Sequence, residues 1–121
     1  MTVLAKRPNV WAKVSGLVEG TGKRNGDAPT DVAFYRPVLD WLWQLFGEDR
    51  LIWGSNWPVS ARFASLETVY QVPRAYVSDR GGPAAVRKVF GGNALAVYKW
   101  VNASPAYFVR GSFADSVYCP A

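Results

Sequence analysis

The sequence predicts an α/β fold built on parallel strands, and three observations predict it. Strand-like and helix-like stretches alternate along the chain. The run Arg50 to Gly54 (RLIWG) is short and almost continuously apolar, as suits a parallel strand buried on both faces. The segment between the two strand-like stretches carries a broad apolar face at helical spacing. Two parallel strands make no sheet by themselves, because each leaves an unpaired edge and an uncovered apolar face.

The elements follow in order. Residues 1–7 read as the end of a helix stopped by Pro8. Asn9 to Ser15 (NVWAKVS) alternates apolar and polar residues and reads as a strand ended by Gly16. Glu19 to Thr30, rich in Gly, Asn, Asp and Pro, reads as a loop long enough to suggest a functional role. A helix is expected from near Arg36, with Pro37 in its first turn, where a missing N–H costs nothing. Its apolar face comprises Val38, Leu39, Leu42, Leu45 and Phe46, and Gly47 is placed to end it in a left-handed conformation. Trp41 and Trp43, two apart, cannot share one helix face, so one is expected to pack on the barrel and the other to cover a neighbouring helix or stay partly exposed. After the strand at Arg50 to Gly54 comes a loop to Ala64. Ser65 then caps a helix to about Arg80, with a kink expected at Pro73. Pro83 opens a short helix to Phe90, Gly91 and Gly92 break it, and Asn93 caps a last helix from Ala94 to Trp100. The tail, 101–121, has no helical period and reads as irregular, with a weak strand around Tyr107 to Arg110.

Composition narrows the function. The chain has 121 residues, one domain at most, and its six Trp, six Tyr and six Phe demand a packed core. The net charge of +5 is spread along the sequence with no basic run longer than two, which argues against nucleic-acid binding. The lone Cys119 has no partner for an internal disulfide, and with no histidine in the chain it has no base to make it a nucleophile. Gly20-Thr21-Gly22-Lys23 departs from a phosphate loop at Leu17 and at Arg24, and reads as a turn. Asn102-Ala103-Ser104 matches a glycosylation acceptor by chance, since nothing else points to secretion. With no signal-like leader and no 18-residue apolar run, the expectation is a cytoplasmic protein off the membrane.

Three stretches carry a resemblance: NVWAKVSGL (Asn9 to Leu17), FGEDRLIWGSNWPVS (Phe46 to Ser60) and VFGGNALAVY (Val89 to Tyr98). In order and spacing they resemble the C-terminal portion of the amidohydrolase-related family, the branch of lactonase-like metal-dependent hydrolases. The resemblance implies a partial TIM-type (β/α)8 barrel over residues 1–100, with Asn9 to Ser15 as its seventh strand and Arg50 to Gly54 as its eighth. Such a barrel takes about 250 residues in full and keeps its active site at the C-terminal ends of its strands. The chain is therefore expected to be part of a larger enzyme.

The resemblance also implies which residues face the pocket. Family members usually carry an aspartate at the position of Asn56, where it binds a divalent metal or takes a proton from the attacking water. An amide can do neither well, so Asn56 is expected to orient water or substrate by hydrogen bonding. Ser15, Ser55, Trp57 and Lys13 are the expected substrate-binding residues, although Trp57 is as readily structural and Lys13 as readily a solvent-facing lysine. Family members often use zinc, held by histidines upstream of the matched region. With none here, no metal site and no cofactor are expected for this chain alone. The implied function is hydrolysis of a lactone or similar cyclic ester or amide by water attack, with the isolated chain inactive. The rival reading is a non-catalytic module that self-associates or docks on a partner chain to complete its sheet.

Overall fold

The computed structural model describes residues 1–98. The expected end of the last helix at Trp100, the tail strand Tyr107 to Arg110, the Asn102 triplet and Cys119 lie outside the described residues.

Two short strands, β1 (Ala12–Val14) and β2 (Leu51–Trp53), pair in parallel with Ala12 opposite Leu51, Lys13 opposite Ile52 and Val14 opposite Trp53. They are shorter than their apolar runs. The ladder is extended at its ends by single bonds, Ala12 N–H to Arg50 O (3.0 Å) and Gly54 N–H to Val14 O (3.1 Å). Residues opposite each other in a parallel pair point to the same face. Ala12, Val14 and Leu51 are thus buried on one face, joined by the half-buried Trp53, while Lys13 and Ile52 occupy the other.

The crossover between the strands contains α2 (Val32–Phe46), and β2 is followed by α3 (Leu66–Arg87). Both lie on the Val14 face. Leu39, Leu42 and Phe46 of α2 and Val69, Val72, Tyr76 and Val77 of α3 complete one core with the strands. Trp53 continues the cluster by stacking on Phe90 (5.1 Å between centroids) and meeting Tyr70 edge-on (5.5 Å). A four-residue helix, α1 (Thr2–Ala5), precedes β1, and α4 (Asn93–Val97) closes the described chain. Among the described residues no helix is long and apolar enough to cross a membrane.

Helix α2 starts at Val32, a turn before the expected Arg36. Asp31 caps it by accepting from the Ala33 N–H (2.9 Å), so Pro37 sits inside the helix rather than in its first turn. Pro37 there forgoes one i→i−4 bond, to the Ala33 carbonyl, while the Asp31 cap satisfies an N–H of the first turn and sets the helix start. Its buried face is Tyr35, Leu39, Leu42 and Phe46. Val38 is instead exposed, and the Tyr35 hydroxyl donates to Pro29 O (2.8 Å). Trp43 packs edge-on to Tyr76 and Trp41 is exposed, the division that their spacing requires. Gly47 ends the helix at positive φ (64°) but with an extended ψ. Ser65 caps α3 through the Thr68 N–H (3.2 Å) as expected, and Gly82 (φ 66°) interrupts the helix just before Pro83.

The glycine pair at 91–92 does not break the chain. It continues as a π turn (Lys88–Gly92) straight into α4. Asn93 is not a cap. Buried, it donates from Nδ2 to Glu48 O and Leu51 O (2.7 Å each), tying the helical end to the start of β2. Arg50 makes the corresponding tie at the other side. Its Nη1 serves the carbonyls of Ala5 (2.9 Å), Arg7 (3.1 Å) and Val10 (3.3 Å), its Nη2 the carbonyl of Leu45 (3.1 Å), and the guanidinium lies over the Phe46 ring.

Arg50→Lys is therefore expected to destabilise the chain by about 2–3 kcal/mol, since an ammonium cannot span the four carbonyls that the planar fork reaches. A fall in the urea midpoint at unchanged m-value would show it. A shift under a few tenths of a molar would refute the tie.

Candidate functional site at the strand ends

Because β1 and β2 are parallel, the loops leaving them emerge at the same end of the sheet, and the site is built from these two loops. After β1 the chain reverses at Gly16 (φ 68°) into a 3-10 turn, Glu19–Thr21. The positive φ is what calls for glycine at 16; a Cβ there would make only ordinary contacts, with Glu19 Oε2 at 3.7 Å and Asn56 Nδ2 at 4.0 Å. After β2 the chain passes through Asn56, itself at positive φ (54°), then a cis Trp57–Pro58 bond and a second 3-10 turn, Val59–Arg62. Asparagine is among the few non-glycine residues that adopt such a conformation readily, so its presence at 56 also has a backbone reason. The loops are laced together by Gly26 N–H to Arg62 O (3.4 Å) and Ala28 N–H to Phe63 O (3.0 Å).

A carboxylate joins them at the centre. Glu19 Oε1 accepts from Asn56 Nδ2 (2.8 Å) and from Ser60 Oγ (2.5 Å). Ser60 is fully buried, and its hydroxyl also lies 2.8 Å from Ser55 O, so one proton faces two acceptors and the charged one is the stronger. Glu19 Oε2 is buried with no hydrogen-bond partner among the described residues. Burial pushes the Glu19 carboxyl up, but hydrogen bonds from Ser60, Asn56 and its own backbone N–H outweigh that and hold it below its ordinary value. Glu19 is thus ionised near neutral pH.

The other sequence-predicted residues gather around this pair. Lys13, Ser55, Asn56 and Trp57 line one open depression of about 450 Å³, together with Ile52, Ala94 and Tyr98. Ser15 is not among them. It lines a neighbouring depression of about 410 Å³ that Lys13 also borders, floored by Phe34, Val38 and Trp41. Lys13 is exposed and lies on the ridge between the two. Its aliphatic stem crosses β2 over Gly54, where a Cβ would fall 2.4 Å from Lys13 Cε and 3.3 Å from Nζ. Glycine at 54 is what lets the ammonium pass toward the strand ends. Trp57 is 44% exposed, so its indole can wall a ligand, and its backbone N–H donates to Ser55 Oγ (3.2 Å).

Sequence reasoning missed Glu19 and Ser60. Both stood in view, Glu19 at the head of the long loop and Ser60 at the end of the second matched stretch. Nothing in their spacing told that the 3-10 turns after the two strands would bring them together.

Zinc is the metal implied by the resemblance, and these residues do not fit it. Among the described residues no three His, Cys, Asp or Glu side chains cluster. Glu19 and Asn56 supply one carboxylate and one amide, short of the three protein ligands that a catalytic zinc site needs.

Comparison with known proteins places this geometry. The amidohydrolase family model matches residues 1–100. An L-fucono-1,5-lactonase of Burkholderia ambifaria is 43% identical over 103 residues, covering 82% of this chain and 33% of the relative. An L-fucono-1,5-lactonase of Burkholderia multivorans is 34% identical over 95 residues, covering 78% and 32%. The crystal structure of an amidohydrolase from Burkholderia multivorans with bound zinc superposes with a TM-score of 0.71 at 34% identity, over 78% of this chain and 34% of that one. The chain spans about a third of the length of the curated relatives it matches. It belongs to the amidohydrolase family.

Gly54→Ala tests the path of Lys13. The clash falls on the end of a flexible side chain, so stability is expected to change by under about 1 kcal/mol while the ammonium moves away. After reductive methylation with labelled formaldehyde, the Lys13 dimethylamine resonance should shift and the other lysine signals should not. An unmoved Lys13 signal would show that the lysine takes another route.

Proposed function

From that membership we propose that this chain is the closing part of a (β/α)8 barrel that opens a sugar lactone, or a similar cyclic ester or amide, by attack of water on the carbonyl. The observation that carries the reading is the 43% identity to an L-fucono-1,5-lactonase over 82% of this chain. The two-stranded sheet supports it. Among the described residues neither outer edge of the sheet pairs with a further strand, as must be so if further barrel strands pair there and close a pocket.

In this reading the residues of the chain bind and orient. Trp57 offers an apolar wall to a sugar ring, and Ser15 and Ser55 offer hydroxyls to its polar edge. Asn56 holds the attacking water through a hydrogen bond. Lys13 directs its ammonium at the oxygen on which charge develops as the new carbon–oxygen bond forms. The ring carbon–oxygen bond then breaks, the proton lost by water ends on the departing ring oxygen, and the product is an open hydroxy acid. Asn56 cannot take that proton. The proton acceptor and the metal ligands come from the strands that precede this part in the full barrel, so the chain alone is inactive.

Complementation tests this. The chain is co-expressed with the part of the Burkholderia ambifaria lactonase that precedes the matched region, and opening of L-fucono-1,5-lactone is followed by acid release with zinc present. No turnover is expected from either piece, and turnover from the pair that falls at least tenfold with Asn56→Ala, the usual scale for losing an orienting hydrogen bond in a dry site. A stable complex without turnover would instead favour a non-catalytic module whose open edges dock on a partner. Turnover by the chain alone would overturn the proposed division of labour.

A further inference from the structure

The amide of Asn56 has two ends with opposite chemistry, and which one faces the depression decides what the site can hold. Glu19 settles it. An ionised carboxylate accepts hydrogen bonds and donates none, so the atom of Asn56 that lies 2.8 Å from Glu19 Oε1 must be the NH2 nitrogen. A flipped amide would set oxygen against oxygen at that distance. Glu19 is itself fixed from behind by the Ser60 hydroxyl on the same oxygen, and Ser60 has no freedom to move, being fully buried. The lowered pKa of Glu19 agrees with a group that stays charged in this setting.

We propose that Glu19, braced by Ser60, is a positioning residue that locks the Asn56 amide with its carbonyl oxygen presented to the depression lined by Lys13 and Trp57, making this end of the site selective for an O–H donor, either water or a substrate hydroxyl. The site then pairs an acceptor, Asn56 Oδ1, with a cationic donor, the Lys13 ammonium, across a depression that both residues line. A polyhydroxylated ligand with a carbonyl or carboxylate group satisfies both ends. A ligand offering only acceptors leaves Oδ1 unmatched, at the cost of an unpaired polar group once the site is closed. The choice between water and hydroxyl rests on the hydrolase reading; the lock itself does not.

The lock is read directly in the full chain by nitrogen-15 NMR of its side-chain amides. The Asn56 NH2 protons are expected to be shifted downfield and to exchange about tenfold more slowly than those of the exposed Asn25, the factor that one charge-assisted hydrogen bond supplies. Glu19→Ala, which leaves no acceptor, should abolish both signatures, and Glu19→Gln, whose amide oxygen can still accept, should weaken them. The exchange variant Glu19→Gln with Asn56→Asp should restore a protected amide, now that of the glutamine at 19, because the same hydrogen bond is rebuilt with donor and acceptor reversed. Should either Glu19 variant alone lose the dispersed spectrum, Ser60→Ala serves as the milder variant and must move the Asn56 amide while leaving distant resonances in place. Asn56 protons that look like those of Asn25, or that ignore both the Glu19 and the Ser60 substitution, overturn the proposal. No turnover enters this measurement, so a missing lactonase activity in the complementation experiment would sink the functional reading and leave this one standing.

Discussion

Everything at the strand ends depends on Arg50. Antiparallel strands can be set in register by a two-residue turn, but β1 and β2 run parallel and are separated by a crossover that includes all of α2, so no local turn aligns them. Arg50 does so by gripping carbonyls of α1, of the segment that leads into β1 and of α2 at once. Those of Ala5, Arg7 and Val10 lead into β1, and that of Leu45 ends α2. Arg50 is also the residue just before β2, and its own carbonyl accepts the first bond of the ladder from Ala12. One side chain thus sets where β1 lies relative to β2. Asn93 makes the reciprocal tie from the helical end, through Leu51 O on the strand itself and Glu48 O just before it.

Register matters because it carries through to the site. A slip of one residue would turn Lys13 into the helix-covered face and bring Val14 out of it. With Lys13 opposite Ile52, the lysine stem instead meets Gly54 two residues on, at the strand's end. The same register brings the turn after β1 level with the turn after β2, close enough for Glu19 to reach both Asn56 and Ser60. The site is therefore a consequence of the strand pairing rather than of either loop alone, and its residues come from opposite ends of a 41-residue separation.

How much of this was legible in the sequence follows from how local each signal is. The Ser65 cap, the interruption ahead of Pro83, the two tryptophans on different faces and the continuous apolar run of β2 are decided by neighbours a few residues away, and they read correctly. Pro37 predicts a start near Arg36, yet the hydrogen bond of the Asp31 cap sets the boundary a turn earlier. Asn93 follows two glycines, a local pattern that predicts a cap. In the fold its amide satisfies two carbonyls more than forty residues distant, which no local pattern announces. Glu19 and Ser60 stayed hidden for the same reason. Lys13, Ser55, Asn56 and Trp57 could be named from the resemblance and do line one depression, whereas Ser15 lies in the next.

The identity of residue 56 can now be argued from its neighbours. A carboxylate there would lie within hydrogen-bond distance of Glu19 Oε1 and could not remain ionised beside it, since two carboxylates at such range force one to keep a proton. The amide avoids that conflict, donates to the charge already present, and tolerates the positive φ that the turn after β2 imposes. Asparagine at 56 and glutamate at 19 are consequently one unit. In the proposed orientation the negative charge sits behind the site, held by Ser60, while the neutral amide oxygen faces the opening that Lys13 also lines. A polar but uncharged group then stands between the two fixed charges, and among the described residues no acidic side chain forms an ion pair with Lys13.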